Sequence, residues 1–187
     1  MTNLYRFNSN RFNLNSFNIT KIFLFLNTII FISTALSPTS FYIVLDLISS
    51  KHFVQKFIGN IIGAFCHTNI LHFISNMVSF YNLRNLEIIM KKDYVALLLI
   101  SIILNSLLLS IFNIYGVGFS AVLFALEIYY SKFSPIDFFM NKPMDRRLIA
   151  FIRMTIIYLL NSRSSLFGHF IGIMVGLGIL KLEKLIY

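Results

Sequence analysis

The sequence predicts an all-α membrane protein, a bundle of six membrane-spanning helices. Composition is the first reason. Hydrophobic residues make up 57% of the 187 residues and charged residues 12%, with a mean hydropathy of +0.78. A soluble domain carries about 45–50% apolar and about 25% charged residues, so a soluble globular domain is excluded, and disorder with it. The second reason is patterning. The apolar residues fall in six long stretches without the alternation of a barrel strand, and in lipid a chain must satisfy its own backbone groups, which leaves helices. The third is the distribution of basic residues between those stretches. The length fits one domain, and at about 20 residues per span it holds six or so helices and little else.

Residues 1–20 contain six Asn, two Arg and no acid, and read as a polar, flexible cap ahead of a membrane domain over 21–187. They lack the three-part pattern of a cleaved signal peptide, while the acid-free, Arg-containing composition also resembles a mitochondrial transit peptide. The first span runs from Ile22 to about Leu36 and stops at Ser37-Pro38. A loop over about 37–56 follows, then the apolar approach FIGNIIGAFC. The second span covers about Asn69–Leu83, and the third, the cleanest, about Tyr94–Ile114. The fourth covers about Gly116–Tyr130, the fifth about Arg147–Leu160 with Arg153 interrupting it, and the sixth about Leu166–Leu180. Short spans are met by tilt, by polar helical ends or by a thinned bilayer.

Sixteen Lys and Arg against seven Asp and Glu give a net charge of +9. In a soluble protein that surplus suggests nucleic acid; here it reports topology. With a cytosolic N-terminus, Arg6, Arg11, Lys21, Arg84, Lys91, Lys92, Lys132, Lys142, Arg146, Arg147, Lys181 and Lys184 all lie on the cytosolic side, and Lys51, Lys56 and Arg163 lie opposite. This split predicts both termini in the cytosol. The single cysteine, Cys66, excludes an internal disulfide or multi-cysteine metal site and reads as an inert buried thiol. No internal repeat is evident, which weakens a transporter reading.

In this topology the second, fourth and sixth spans begin on the non-cytosolic side, and each opens with polar residues that lipid tolerates only with a partner or a purpose. The second holds His67, His72 and Asn76, of which His72 and Asn76, four apart, share a helical face. The fourth opens Gly116-Val-Gly118-Phe119-Ser120-Ala121, and the sixth Phe167-Gly168-His169. The helical rise places Ser120 and His169 each roughly 5–7 Å below their helix starts. A hydroxyl, an imidazole, an amide and a second imidazole thus share one layer, as a nucleophile, a base and an oxyanion site require. Gly168, Gly172 and Gly176 recur along the sixth span, and Gly116, Ser120, Ala121 and Ala125 give the fourth a small face. Small faces let two backbones approach closely, which brings Ser120 within about 3 Å of His169.

The G-x-S-A of Gly118 to Ala121, the G-H-x-x-G-x-x-x-G of Gly168 to Gly176 and the H-x-x-x-x-H-x-x-x-N of His67 to Asn76, in this order, resemble the rhomboid intramembrane serine proteases. The stretch GVGFSAVLFALE and the run Asn85-Leu86-Glu87 are most similar to the eukaryotic endoplasmic-reticulum branch. The resemblance covers roughly residues 57–180. It implies a six-helix rhomboid-like bundle in which Ser120 is the nucleophile and His169 the general base and acid, a dyad without a carboxylate. It further implies that Phe124 supports the imidazole, and that His72, Asn76 and the backbone N–H groups of Ser120 and Phe119 bind the oxyanion. His67 braces the first loop or the oxyanion helix; Gly118, Gly172 and Gly176 support the packing. No metal or organic cofactor is implied, and no nucleic acid. The partners are transmembrane protein substrates and the bilayer, and the oligomeric state is open. The location implied is the endoplasmic reticulum or another endomembrane. Two departures stand out: Ala121 where the family often has Gly, and no Trp in the first loop, where many members carry a Trp-Arg pair.

Each residue also has a purely structural use. Ser120 serves helix packing, His169 bonds a carbonyl, and His72 with Asn76 forms a polar pair. Glu127, two turns beyond Ser120 and too deep for catalysis, neutralises Arg153. At the level of the whole chain the alternative is a catalytically inactive rhomboid-like protein that binds membrane clients for quality control. A small channel or transporter is the third reading, and it predicts a polar path reaching both faces.

Overall fold

The computed structural model describes residues 18–160 and 165–186. Most of the Asn-rich N-terminus and Arg163 lie outside them. The described residues form helices α1 (Asn18–Leu36), α2 (Pro38–Ser49), α3 (Phe53–Gly63), α4 (Ile70–Asn82), α5 (Asn85–Met90), α6 (Asp93–Ile111) and α7 (Ser120–Tyr130). A hairpin of β1 (Ile136–Phe139) and β2 (Lys142–Asp145) leads into α8 (Arg146–Leu160) and α9 (Leu166–Ile186). The six predicted stretches correspond to α1, α4, α6, α7, α8 and α9.

Length separates these helices. Among the described residues, α1, α6 and α9 are long and apolar enough to cross a membrane. Helices α4, α7 and α8 have 13, 11 and 15 residues. At 1.5 Å per residue they rise roughly 20, 16 and 22 Å, short of a hydrocarbon core of roughly 30 Å. The chain is therefore an all-α integral membrane protein, with three candidate full-length spans and a set of shorter helices among the described residues.

Two local readings are corrected and one element is new. The segment expected as a loop over 37–56 is mostly helix: Pro38 at the start of α2 presets a helical φ where its missing N–H costs nothing, and α3 packs back on α2. Residues 136–145 form an antiparallel hairpin, with Ile136 opposite Asp145 and Phe139 opposite Lys142. And α7 begins at Ser120 rather than Gly116, so the serine opens its helix instead of lying a turn inside it.

Helix α7 is the centre of the molecule. Every residue from Ala121 to Tyr130 is buried, and α4, α6, α8 and α9 all pack on it. The closest approach is to α9. A Cβ on Gly172 would collide with the carbonyl of Ala121, and one on Gly176 would lie 2.6 Å from that of Ala125. The main core gathers Phe80, Leu86, Tyr94, Leu98, Phe119 and Leu126 from α4, α5, α6 and α7. Helix α1 joins through Glu87, whose carboxylate accepts from the backbone N–H of Ile19 at 2.7 Å, the N–H of Thr20 at 2.9 Å and the Thr20 hydroxyl at 2.7 Å. Two of these donors are N–H groups in the first described turn of α1.

Candidate active site

The site lies where α4, α7 and α9 begin. Gly118 adopts φ +108°, a region L side chains rarely adopt, and donates its N–H to the carbonyl of Gly63 at 2.9 Å. That turn tucks the Phe119 ring into the core, fully buried against Phe23, Phe65 and Phe80. Only the backbone of Phe119 can therefore serve a substrate. The next residue, Ser120, is half-buried and carries its hydroxyl at the first position of α7.

His169 sits in the first turn of α9, 5% exposed, with Nε2 2.9 Å from Ser120 Oγ. The contact follows from the packing, because Gly172, one turn along α9, lets its backbone meet that of Ala121 directly. Nδ1 of His169 has no hydrogen-bond partner, carboxylate or otherwise, among the described residues. The ring is held instead by Phe124, with ring centroids 5.0 Å apart and planes tilted by 46°. A hydroxyl donating to Nε2 requires the proton on Nδ1, the tautomer in which imidazole acts as a base.

The opposite wall comes from α4. Asn69 caps that helix, its side chain accepting the N–H of His72 at 2.9 Å. The Thr68 hydroxyl lies 3.3 Å from His72 Nδ1. With that hydroxyl donating, the ring proton sits on Nε2, which faces Gly118: a Cβ there would lie 2.6 Å from it. The glycine is thus required twice, by its φ and by the imidazole beside it. One turn on, Asn76 is 5% exposed, and its Nδ2 is a buried donor without a partner among the described residues. Buried donors are almost always satisfied, so one left open beside the Ser120 hydroxyl is an exception in this fold.

His67 is 4% exposed. It sets its ring edge-on to His72 at 5.2 Å and to Phe73 at 5.4 Å, bracing the first while touching neither Ser120 nor His169. Thr68 and Asn69 were not singled out from the sequence; an Asn directly before an apolar helical run is a cap signal and marks the second of them.

A cavity of about 450 Å³ runs from Asn76 and Ser120 past Phe124 to Glu127, Arg146 and Arg153, between α4, α7 and α8. Arg153 donates to both carboxylate oxygens of Glu127 at 2.9 Å. The arginine that interrupts the fifth predicted stretch thus leaves α8 continuous, because its charge is met by α7.

The arrangement pairs a hydroxyl with a base and points two side-chain donors at the space beside it. A comparison with curated proteins finds none that matches the chain. The family model of the rhomboid domain matches residues 54–183, 130 of the 187 residues. The interval takes in His67, His72 of α4, the α7 serine and the α9 histidine, and the chain belongs to the rhomboid family.

Proposed function

We propose that the protein is an intramembrane serine endopeptidase acting through Ser120 and His169 on transmembrane protein substrates. The observation that carries this reading is the 2.9 Å contact between Ser120 Oγ and His169 Nε2, with the unpaired Asn76 amide beside it. His169 takes the hydroxyl proton as Ser120 Oγ attacks the scissile carbonyl carbon. Negative charge develops on the carbonyl oxygen. The Asn76 amide, the His72 Nε2–H and the open N–H groups of the first turn of α7 receive it, preorganised donors that need no rearrangement. His169 then returns the proton to the leaving amine, and an acyl-enzyme on Ser120 remains. Water activated by the same imidazole hydrolyses it.

The substrate segment lies in the cavity between α4 and α8, locally unwound, since a helical peptide bond is shielded. Six crossings with both termini cytosolic, as the split of basic residues suggests, put the site near the non-cytosolic face. Residence in the endoplasmic reticulum or another endomembrane belongs to the same proposal.

The test is cleavage of a transmembrane reporter by the purified parent beside Ser120→Ala and His169→Ala. The parent is expected to cleave, with both variants slower by at least about 10³-fold, and a fluorophosphonate is expected to label only chains with the intact pair. Equal cleavage by parent and Ser120→Ala overturns the reading. Binding of reporters without cleavage by any form, across several substrates, assigns the chain to the inactive client-binding class.

A further inference from the structure

The hairpin between α7 and α8 exposes large apolar side chains on its outer face and tip. In an antiparallel pair, directly opposed residues share a face, so Ile136, Phe138, Pro143 and Asp145 make one face and Asp137, Phe139, Lys142 and Met144 the other. The second face turns inward at Asp137, Phe139 and Met144, each half-buried, and leaves Lys142 exposed beside the tip; Asp137 lines the cavity and pairs with Arg146 at 3.0 Å. The first face turns outward, with Ile136 61% and Phe138 71% exposed and Met140 at the tip 83% exposed. A hairpin in water packs its apolar side on the core and shows polar residues to solvent. Here the Asp137 carboxylate points in while an isoleucine, a phenylalanine and a methionine point out, and Asp145, at the α8 end of the outer face, is paired with Arg147 at 2.8 Å.

The described lengths of the flanking helices are short for a bilayer. Helix α7 has 11 residues and α8 has 15, rises of roughly 16 and 22 Å against a core of roughly 30 Å. Helix α8 starts at the residue after β2. Its Leu148, 51% exposed, continues the outward apolar surface. Exposed Lys142 is long enough to reach headgroups from a seated hairpin.

We propose that the β1–β2 hairpin is a lipid-seated element, its outer face of Ile136, Phe138 and Met140 resting in the interfacial layer of the bilayer. Its partner is the lipid surface itself. Arg146 connects this seat to the cavity: it bonds Ser134 O at 2.9 Å, pairs with Asp137, stacks over Tyr130 at 4.6 Å and opens α8. The inference rests on α7 and α8 lying in the membrane and not on the protease chemistry.

The chain contains no Trp, so one introduced indole reports alone. Full-length Phe138→Trp, reconstituted in phosphatidylcholine vesicles, is expected to emit blue-shifted fluorescence. It is expected to lose most of its intensity when bromine is carried near the headgroup end of the acyl chains, and to resist aqueous iodide. Red-shifted emission quenched by iodide overturns the proposal. Blue-shifted emission that ignores brominated lipid and changes with the protein-to-lipid ratio overturns it too, and assigns the face to a second copy of the chain. Met140→Trp repeats the measurement at the tip if the first variant misfolds. Every arm can be run in a Ser120→Ala background, and a hairpin found in water leaves the cleavage assay untouched.

Discussion

At the scale of single residues, the site separates groups already in contact from groups held in waiting. Ser120 and His169 meet in the resting molecule; the Asn76 Nδ2 has no hydrogen-bond partner among the described residues. An oxyanion donor acts only once charge has developed, so removing it slows the chemical step and leaves substrate binding nearly unchanged. Asn76→Ala is therefore expected to lower kcat by about 10²–10³-fold with little change in KM. Thermal unfolding is expected to move little, because the amide Nδ2 has no bond to lose among the described residues. Steady-state kinetics read beside a melting curve check this, and activity and stability falling together would assign Asn76 to the scaffold. Ser120, His169, His72 and Asn76 were legible as candidates because polar residues are rare in apolar stretches and these share one layer. The cap by Asn69 and the hydroxyl of Thr68 were harder to see, since both lie in a polar turn where such residues are commonplace.

At the scale of elements, the pairing of α7 with α9 sets the reach of His169. Gly172 and Gly178 sit on the same helix in opposite circumstances. A Cβ at Gly172 runs into the Ala121 carbonyl, while one at Gly178 meets nothing within 4 Å. Gly178→Ala is expected to be neutral or to stabilise by up to about 1 kcal/mol, through helix propensity alone. Gly172→Ala must push α9 off α7 and is expected to lower both the unfolding midpoint and cleavage. Parallel melts and cleavage rates of the two variants check this, and equal behaviour refutes the close-approach account. The glycine ladder was readable from its spacing, yet spacing could not say which glycine faces the partner. Helices α2 and α3 and the hairpin escaped for another reason. Their apolar residues are too few to span and too many for a water-exposed loop, a mixture that only an interface resolves. Glu87, seen as part of a motif, caps α1 from 67 residues away in sequence, a contact no local pattern announces.

At the scale of the whole molecule, the long apolar helices and their order were legible, because composition and the absence of alternation leave a chain in lipid few options. The cavity was not, since it depends on how α4 and α8 lean away from α7. Its far end is closed by Glu127 and Arg153, which tie α8 to the central helix. The carboxylate side chain is 6% exposed and the guanidinium 45%, so the two partners are unequal. Removing Arg153 strands a buried charge, whereas removing Glu127 leaves an arginine that can turn outward. Breaking a buried pair costs about 3–5 kcal/mol, and half-exposure of the arginine moves this case to or below the lower end. Arg153→Met is accordingly expected to destabilise more than Glu127→Gln. The double variant, with no stranded charge, is expected to recover much of what Arg153→Met loses. Unfolding midpoints of the four proteins in one detergent complete the cycle. Strictly additive losses would show that the pair does not couple α8 to α7. Recovery in the double variant without recovery of cleavage would place the pair in the shape of the cavity as well as in the stability of the fold.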